Sequence, residues 1–314
     1  MIPVIGPDDI RPHLSIGALI PTAAAAFRAI SEGTTQAPVY VLHPNDVADI
    51  HVKSATLSGC PIFTVKMAGW SQVLVDRGEP ASSGIIAVFD SETCRPLAIL
   101  QDDHLISDYR TAAAGAFAVQ QLAPESASTA LILGTGTQAR LQAEALNSVR
   151  RIKELRIWGR SSHKAAALVQ DLRAAFPDMM VDLADDLREA VRTAEIIVAA
   201  TGSKRPLIQA DWVQPHHLIL SVGSDEATKC EIDPAILPAA RVVVDALDSA
   251  TKYGPPARAL SEKLIDQSDL IELGELVRKE TPLGKKPTVV CLSGLGIQDL
   301  TAVTALWSKL EGSF

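Results

Sequence analysis

Apolar and polar positions fall into two regimes along this chain. Up to about residue 122 the apolar residues come as short, valine- and isoleucine-rich or alternating runs at Pro38–His43, Ile62–Met67 and Gly84–Asp90, which predict strands. The stretch GIIAVFDSETCRPLAIL at 84–100 predicts a hairpin, two apolar runs joined by a polar turn. Helices are expected at Pro21–Glu32, with one apolar face, and at Ser107–Leu122, alanine-rich, with Ser107 or Asp108 as its N-cap. Ala123-Pro124-Glu125-Ser126 then breaks the pattern and reads as a domain boundary. From about 127 to 292 apolar runs at 129–133, 154–158, 195–199, 217–222, 241–244 and 288–292 alternate with helix-compatible segments. That βαβα order predicts a mostly parallel, doubly wound sheet of the Rossmann type. QDLTAVTALWSKL at 298–310 adds one more amphipathic helix. The fold class expected is therefore α/β: a Rossmann-type domain accompanied by an α+β domain.

The sharpest local signal is Thr129–Ala139, TALILGTGTQA, followed at once by RLQAEALNSV. This is strand, glycine turn, helix. Gly134 permits the sharp exit from the strand, Gly136 lets a pyrophosphate approach the backbone, and Ala139 allows close helix–strand packing. Thr135, Thr137 and Gln138 complete the turn. The helix that follows points unpaired N–H groups and its positive dipole end at a phosphate. The next strand, ELRIWGR, ends in Arg160 followed by Ser161, Ser162, His163 and Lys164, with no acidic residue to receive ribose hydroxyls. A cation there pairs with a 2′-phosphate where a carboxylate would repel it, so NADP(H) is expected over NAD(H). Two further strands end in short polar residues, IIVAATGS at 196–203 with Thr201 and LILSVGSD at 218–225 with Val222. Ligands of such sheets bind outside the carboxyl ends of the strands, so these loops should line the cofactor cleft.

Composition sets bounds. The 314 residues, 47% hydrophobic and 21% charged, suffice for two domains. A net charge of −8 argues against a nucleic-acid or anionic-membrane surface, and the pairs Arg150-Arg151 and Lys285-Lys286 read as solvated. The four cysteines, Cys60, Cys94, Cys230 and Cys291, lie far apart without a CxxC pair, which fits reduced thiols in a cytoplasm better than zinc or disulfides. No signal peptide and no apolar run near the ~20 residues of a membrane span is seen. A cytoplasmic protein with a small-molecule substrate, no metal, no nucleic-acid partner and no membrane partner is expected.

Several stretches together resemble the ornithine cyclodeaminase/mu-crystallin family: TVKM at 64–67, VFDSETCRPLAIL at 88–100, YRTAAAGA at 109–116, LGTGTQA at 133–139, VGSDEATKCEID at 222–233 and SGLGIQDL at 293–300. They occur in the family's order and spacing and cover most of the chain. The resemblance implies a homodimer, with a substrate and dimerisation domain built from both chain ends, here 1–122 with 293–314, around a Rossmann domain at 123–292. It implies an NAD(P)-dependent enzyme acting at the Cα–N bond of an amino acid or cyclic imine, of the ketimine reductase or amino-acid dehydrogenase type. Ornithine cyclodeaminase and a non-enzymatic, NADPH-dependent crystallin-like binder are the alternatives within the same family.

Lys66 follows the apolar run FTV, and by itself reads either as a surface strand-end lysine or as a donor reaching into a cleft. Arg110 is either an exposed helical arginine or a bidentate carboxylate partner. The resemblance assigns both to the substrate carboxylate and places Arg110, with Thr111, near the nicotinamide. Asp225, after Val222-Gly223-Ser224, becomes the leading acid/base group, Lys229 matches a family lysine, and Ser293 matches a cofactor contact; Asp225 and Lys229 also read as an ordinary loop pair. The chain departs from the family in three places. Family enzymes acting on ornithine usually carry an arginine two residues after a proline in an early strand, in a PxR pattern, where this chain has Ala37-Pro38-Val39-Tyr40 and no arginine. MAGWSQVLVDRGEPASSG lacks the usual proline–asparagine pattern and has Ala81 near Pro80, and Thr228 replaces a glycine before Lys229. The first two lie on the substrate side; the missing early arginine, together with Arg160, shifts the expectation toward the reductase branch.

Overall fold

A computed structural model describes residues 1–276 and 285–311. The chain divides into two compact units, one formed by Met1–Arg110 with the stretch from Leu295, the other by Thr111–Gly294. The last residues of the expected C-terminal segment, 312–314, lie outside the described residues.

The first unit is built on a seven-stranded sheet of β1 (Val4–Ile5), β2 (Thr35–Gln36), β3 (Val39–Asn45), β4 (Ala48–Leu57), β5 (Ile62–Ser71), β6 (Ser82–Asp90) and β7 (Pro96–Leu100), in the order β1-β7-β6-β5-β4-β2, with β3 also on β4. All pairs are antiparallel except β1 with β7. The expected hairpin is β6–β7, and its turn is tied by Asp90, whose carboxylate accepts from the Thr93 N–H at 2.7 Å. Strand β4 was not among the expected strands. Its sequence, ADIHVKSATL, alternates in period two, but the side that is buried is the polar one: Asp49, His51 and Lys53. Thr64 and Lys66 of β5 share that face, and Ile86 and Val88 of β6 extend it as an apolar surface. Helix Gly296–Leu310 packs over β4 and β5 and against helix Ile16–Ser31. Its close approach depends on Gly296, where a Cβ would come within 2.6 Å of the Ser54 carbonyl oxygen. The opposite face carries Tyr40, Leu42, Ile50, Val52, Val65, Met67, Ile85 and Ala87, all half-buried or exposed.

Two helix starts differ from expectation. The first long helix begins at Ile16, because Ser15 caps it by accepting from Ala18 N–H at 3.2 Å, and Pro21 falls inside its second turn. The alanine-rich helix is Leu105–Leu122, capped by Asp102, whose carboxylate accepts from Ile106 N–H at 2.8 Å; neither Ser107 nor Asp108 is its N-cap.

The second unit holds an eight-stranded sheet: β8 (Thr129–Leu133), β9 (Glu154–Trp158), β10 (Met180–Leu183), β11 (Ile196–Ala199), β12 (Leu218–Ser221), β13 (Arg241–Val244), β14 (Leu270–Glu272) and β15 (Thr288–Cys291). Its order, β10-β9-β8-β11-β12-β15-β13-β14, is parallel throughout, and the connection reverses direction between β8 and β11. This is the doubly wound, Rossmann-type sheet expected, covered on both faces, which is why its central strands are unbroken apolar runs. The strands not foreseen, β10 and β14, lie at the two edges, where four- and three-residue runs give little periodic signal.

The division between units falls after Arg110, inside helix Leu105–Leu122, and not at the Ala123–Ser126 break. The rest of that helix is tied into the second unit: Gln142 Nε2 donates to the Thr111 carbonyl at 3.2 Å, and Arg150 donates to the carbonyls of Val119, Gln120, Ala123 and Pro124 at 2.7–3.1 Å. Arg150 is thus not a solvated surface charge; it satisfies the open carbonyls of a helix C-terminus. Among the described residues no single helix is long and apolar enough to cross a membrane, and no group of His, Cys, Asp or Glu is placed to hold a metal.

Candidate functional site

The glycine turn of the second unit has the geometry its sequence predicts. Gly134 leaves β8 with φ +130°, a region closed to residues with a Cβ, and a Cβ there would overlap the Ala200 carbonyl of the neighbouring strand end. Gly136 is the N-cap of helix Thr137–Val149; nothing lies within 4 Å of where its Cβ would be, and no side chain caps the helix. Ala139 is fully buried against the strand. An open approach to a 13-residue helix N-terminus, over a glycine, fits the pyrophosphate of a dinucleotide. Thr135 stands against Gly159 at the end of β9, so close that a Cβ on Gly159 would overlap its methyl group. Arg160 follows, exposed, and Ser161 caps helix Ser162–Ala175 by accepting from Lys164 N–H.

The loops leaving the other central strands are held by two buried carboxylates that the sequence did not single out. Glu231 accepts from the N–H of Thr201 at 2.5 Å, the N–H of Gly223 at 2.9 Å and the hydroxyl of Ser221 at 3.1 Å. It therefore joins the loop after β11 to the loop after β12, beside Val222. Burial pushes its carboxyl up to about 6, against the pull of these donors. Gly223 is required there, because a Cβ would overlap the Thr201 backbone. Asp245, after β13, accepts from the N–H of Ser293 at 2.7 Å, the N–H of Gly294 at 2.9 Å and the Ser293 hydroxyl at 3.0 Å. The Ser293 hydroxyl is thus turned to Asp245. On the loop after β12, Lys229 Nζ donates to Asp225 at 2.7 Å, so these two residues form a partly exposed pair.

In the first unit Lys66 and Arg110 converge on one residue, Asp299, in the first turn of helix Gly296–Leu310. Lys66 Nζ lies 2.7 Å from Asp299 Oδ2 and donates to the Ser107 hydroxyl at 2.8 Å. Arg110 Nε donates to Asp299 Oδ1 at 2.9 Å, and its Nη1 reaches Gln298 Oε1 at 3.4 Å. Asp299 is fully buried, and Lys66 and Arg110 nearly so. Burial alone would push the Asp299 carboxyl up, but Arg110 and Lys66 outweigh it and hold the carboxyl down to about 2. Lys66 moves the other way. Burial, with Arg110 and Lys53 nearby, lowers its ammonium to about 7 although Asp299 opposes the shift. Lys66 lies inside β5 and not at a strand end, and it and the helical Arg110 are members of one buried charged cluster, not surface cations. Asp299 lies within the quoted stretch SGLGIQDL, where an acid one turn into a helix after a strand-end glycine was the available signal.

The profile of the ornithine cyclodeaminase/mu-crystallin family matches residues 5–313. An uncharacterized cyclodeaminase of Sinorhizobium fredii is 34% identical over 294 residues, covering 91% of this chain and 88% of that protein. The ketimine reductase mu-crystallin of Rattus norvegicus is 26% identical, covering 96% of this chain and 95% of that protein. Among solved structures, an archaeal alanine dehydrogenase dimer with bound NAD is similar with a TM-score of 0.90 at 25% identity, over 99% of this chain and 97% of that one.

Removing the shared counter-charge should be costly. At pH 7 we expect Asp299→Asn to lower the unfolding free energy by about 3–5 kcal/mol, because two buried cations lose their partner. Asp299 has a depressed pKa, so its contribution is present above its ordinary 3.8 and is lost as pH falls through about 2. The gap between wild type and variant, measured by urea unfolding at a series of pH values, should close over that window. A gap that is absent at pH 7, or constant with pH, would refute the role.

Proposed function

The chain belongs to the ornithine cyclodeaminase/mu-crystallin family, and from that premise we propose that it is an NADP(H)-dependent reductase of imines at the Cα–N bond of amino acids. The observation that carries the reading is the buried Lys66–Asp299–Arg110 cluster. Asp299 fixes the two cations, and its bonds engage one of the five donors of the Arg110 fork. Lys66 and Arg110 hold the substrate α-carboxylate, which orients Cα and its nitrogen. A nicotinamide cofactor, when bound at the glycine turn, supplies or accepts a hydride at Cα. Reduction of the C=N bond also needs one proton at nitrogen, and Asp225 is the group we assign to deliver it, or to remove it in the reverse direction. The names of relatives support this chemistry: ketimine reductase for one, alanine dehydrogenase with bound NAD for another. We place the enzyme in the cytoplasm, in keeping with its four free thiols.

Steady-state assays separate this reading from the cyclodeaminase alternative, which the Sinorhizobium relative's name favours. We expect NADPH oxidation with Δ1-pyrroline-2-carboxylate or with pyruvate plus ammonium. Ammonia release from ornithine without net cofactor turnover would replace the reading. The charge on Lys66 is present below about 7 and lost above it. We therefore expect kcat/KM for the imine to fall as pH rises through that value, and Lys66→Arg to move the fall to higher pH.

The preference for NADP(H) rests on Arg160, exposed at the end of β9 beside His163 and Lys164. By isothermal titration, Arg160→Glu should weaken NADPH binding about 10- to 100-fold and leave NADH binding nearly unchanged. Equal NADPH affinity in the variant would remove the phosphate role of Arg160.

We further propose a homodimer closed over the apolar sheet face, where Tyr40 is 64% and Leu42 56% exposed, beside Met67. Sedimentation velocity should show a dimer for wild type and a monomer for the double variant Tyr40→Glu, Met67→Glu. A variant that remains dimeric would place the interface elsewhere.

A further inference from the structure

The helix that follows the glycine turn carries a buried polar side chain that neither stability nor backbone satisfaction explains. Gln142 lies in helix Thr137–Val149, one turn beyond Gln138, and is fully buried. Its Nε2 donates to the Thr111 carbonyl at 3.2 Å and reaches Gln138 Oε1 at 3.5 Å. Its Oε1 is buried, and among the described residues no group donates to it. A buried amide left half-satisfied destabilises a fold, and a leucine or methionine of similar size would not. The Thr111 carbonyl does not need the bond either. Thr111 sits inside helix Leu105–Leu122, where the helix's own ladder supplies the carbonyl with a donor. Arg150, by contrast, serves open carbonyls at the end of that helix.

The contact is nevertheless built for close approach. Gly115, one turn after Thr111, presents bare backbone to the amide. A Cβ there would come within 2.1 Å of Gln142 Oε1, so any side chain at 115 would displace it. What the arrangement achieves is geometric. It fixes the first turns of the helix that follows the glycine turn against the backbone that follows Arg110.

We propose that Gln142 is a positioning residue, holding the helix of the glycine turn in register with helix Leu105–Leu122 so that a nicotinamide cofactor bound at the turn meets the substrate Cα at the distance hydride transfer needs. Being fully buried, it acts through Gln138 and Thr111. The proposal rests on the hydride-transfer reading given above.

Gln142→Met keeps the length of the side chain and removes its hydrogen bonds. The melting temperature of the variant should equal or exceed that of wild type. With NADPH and Δ1-pyrroline-2-carboxylate, kcat should fall about 10- to 100-fold, while KM for the imine and Kd for NADPH change less than about threefold. The deuterium isotope effect with NADPH labelled at the transferred position should rise, because misplacement slows the hydride step itself. Loss of packing alone would move melting temperature and NADPH affinity and leave the isotope effect where it was. Gly115→Ala displaces the same amide from the other helix. It should give the same kinetic pattern, and it decides the matter if Gln142→Met fails to fold. Wild-type kcat and isotope effect in folded Gln142→Met would overturn the proposal and leave the reductase reading intact. A fall in kcat that only follows lost stability or lost NADPH binding would do the same. If wild type releases ammonia from ornithine instead of reducing the imine, the reductase reading fails and Gln142 keeps its role. The same variants should then slow that release, with a larger isotope effect from ornithine deuterated at Cα. Wild-type protein that catalyses neither reaction would overturn both.

Discussion

The ion-pair cluster around Asp299 is the constraint on which the first unit depends. One buried carboxylate is shared by a lysine from a sheet strand and an arginine from a helix. Neither cation would be tolerated there alone, since isolating a charge from water costs several kcal/mol even after relaxation. Asp299 arrives on the C-terminal helix, so the chain end is needed to neutralise charges placed on the sheet and on helix Leu105–Leu122. The same helix can reach β4 only because Gly296 leaves room for the Ser54 carbonyl. Backbone approach, charge neutralisation and the orientation of the two cations are thus one structural event.

That event explains an inversion in the sheet. Strand β4 buries its aspartate, histidine and lysine and leaves Ile50 and Val52 only half-covered. A helix carrying a carboxylate in its first turn lies over the polar side, while among the described residues the apolar side stays half-buried or exposed. Stability alone would favour the opposite arrangement, with the polar row in water and the apolar row beneath the helix. The inversion is understandable if the covered side is a binding surface and the apolar side an interface with a second copy.

What the sequence disclosed follows from how local each signal is. The parallel sheet was legible strand by strand, because strands buried on both faces are continuous apolar runs, and the glycine turn was legible because its geometry admits few residues. Lys66 and Arg110 were legible through the motifs around them. Strand β4 carried a clear period-two alternation, yet alternation shows only that two faces differ. Which face is covered is decided by a helix from the far end of the chain, and no local pattern reports that. Asp299, Glu231 and Asp245 were missed for a related reason. Each acts through donors distant in sequence or on backbone N–H groups, as Glu231 does on Thr201 and Gly223.

The three buried carboxylates share a physical logic. A carboxylate is acceptor-only when ionised and takes several donors at once, so one buried acid can fix several groups that must stay in register for a ligand. Asp299 fixes two cations; Glu231 and Asp245 each fix backbone amides and a hydroxyl at strand ends. Their electrostatic positions differ accordingly. Asp299 faces full positive charges and is held down to about 2, whereas Glu231 faces only dipoles and burial raises it to about 6. A neutral Glu231 would surrender acceptor strength toward Thr201 and Gly223, so the strand-end loops it joins are held most firmly above that value. Lys66 loses its charge as pH rises through about 7. The two groups therefore respond to pH in opposite senses, Glu231 accepting more strongly as pH rises and Lys66 losing its charge.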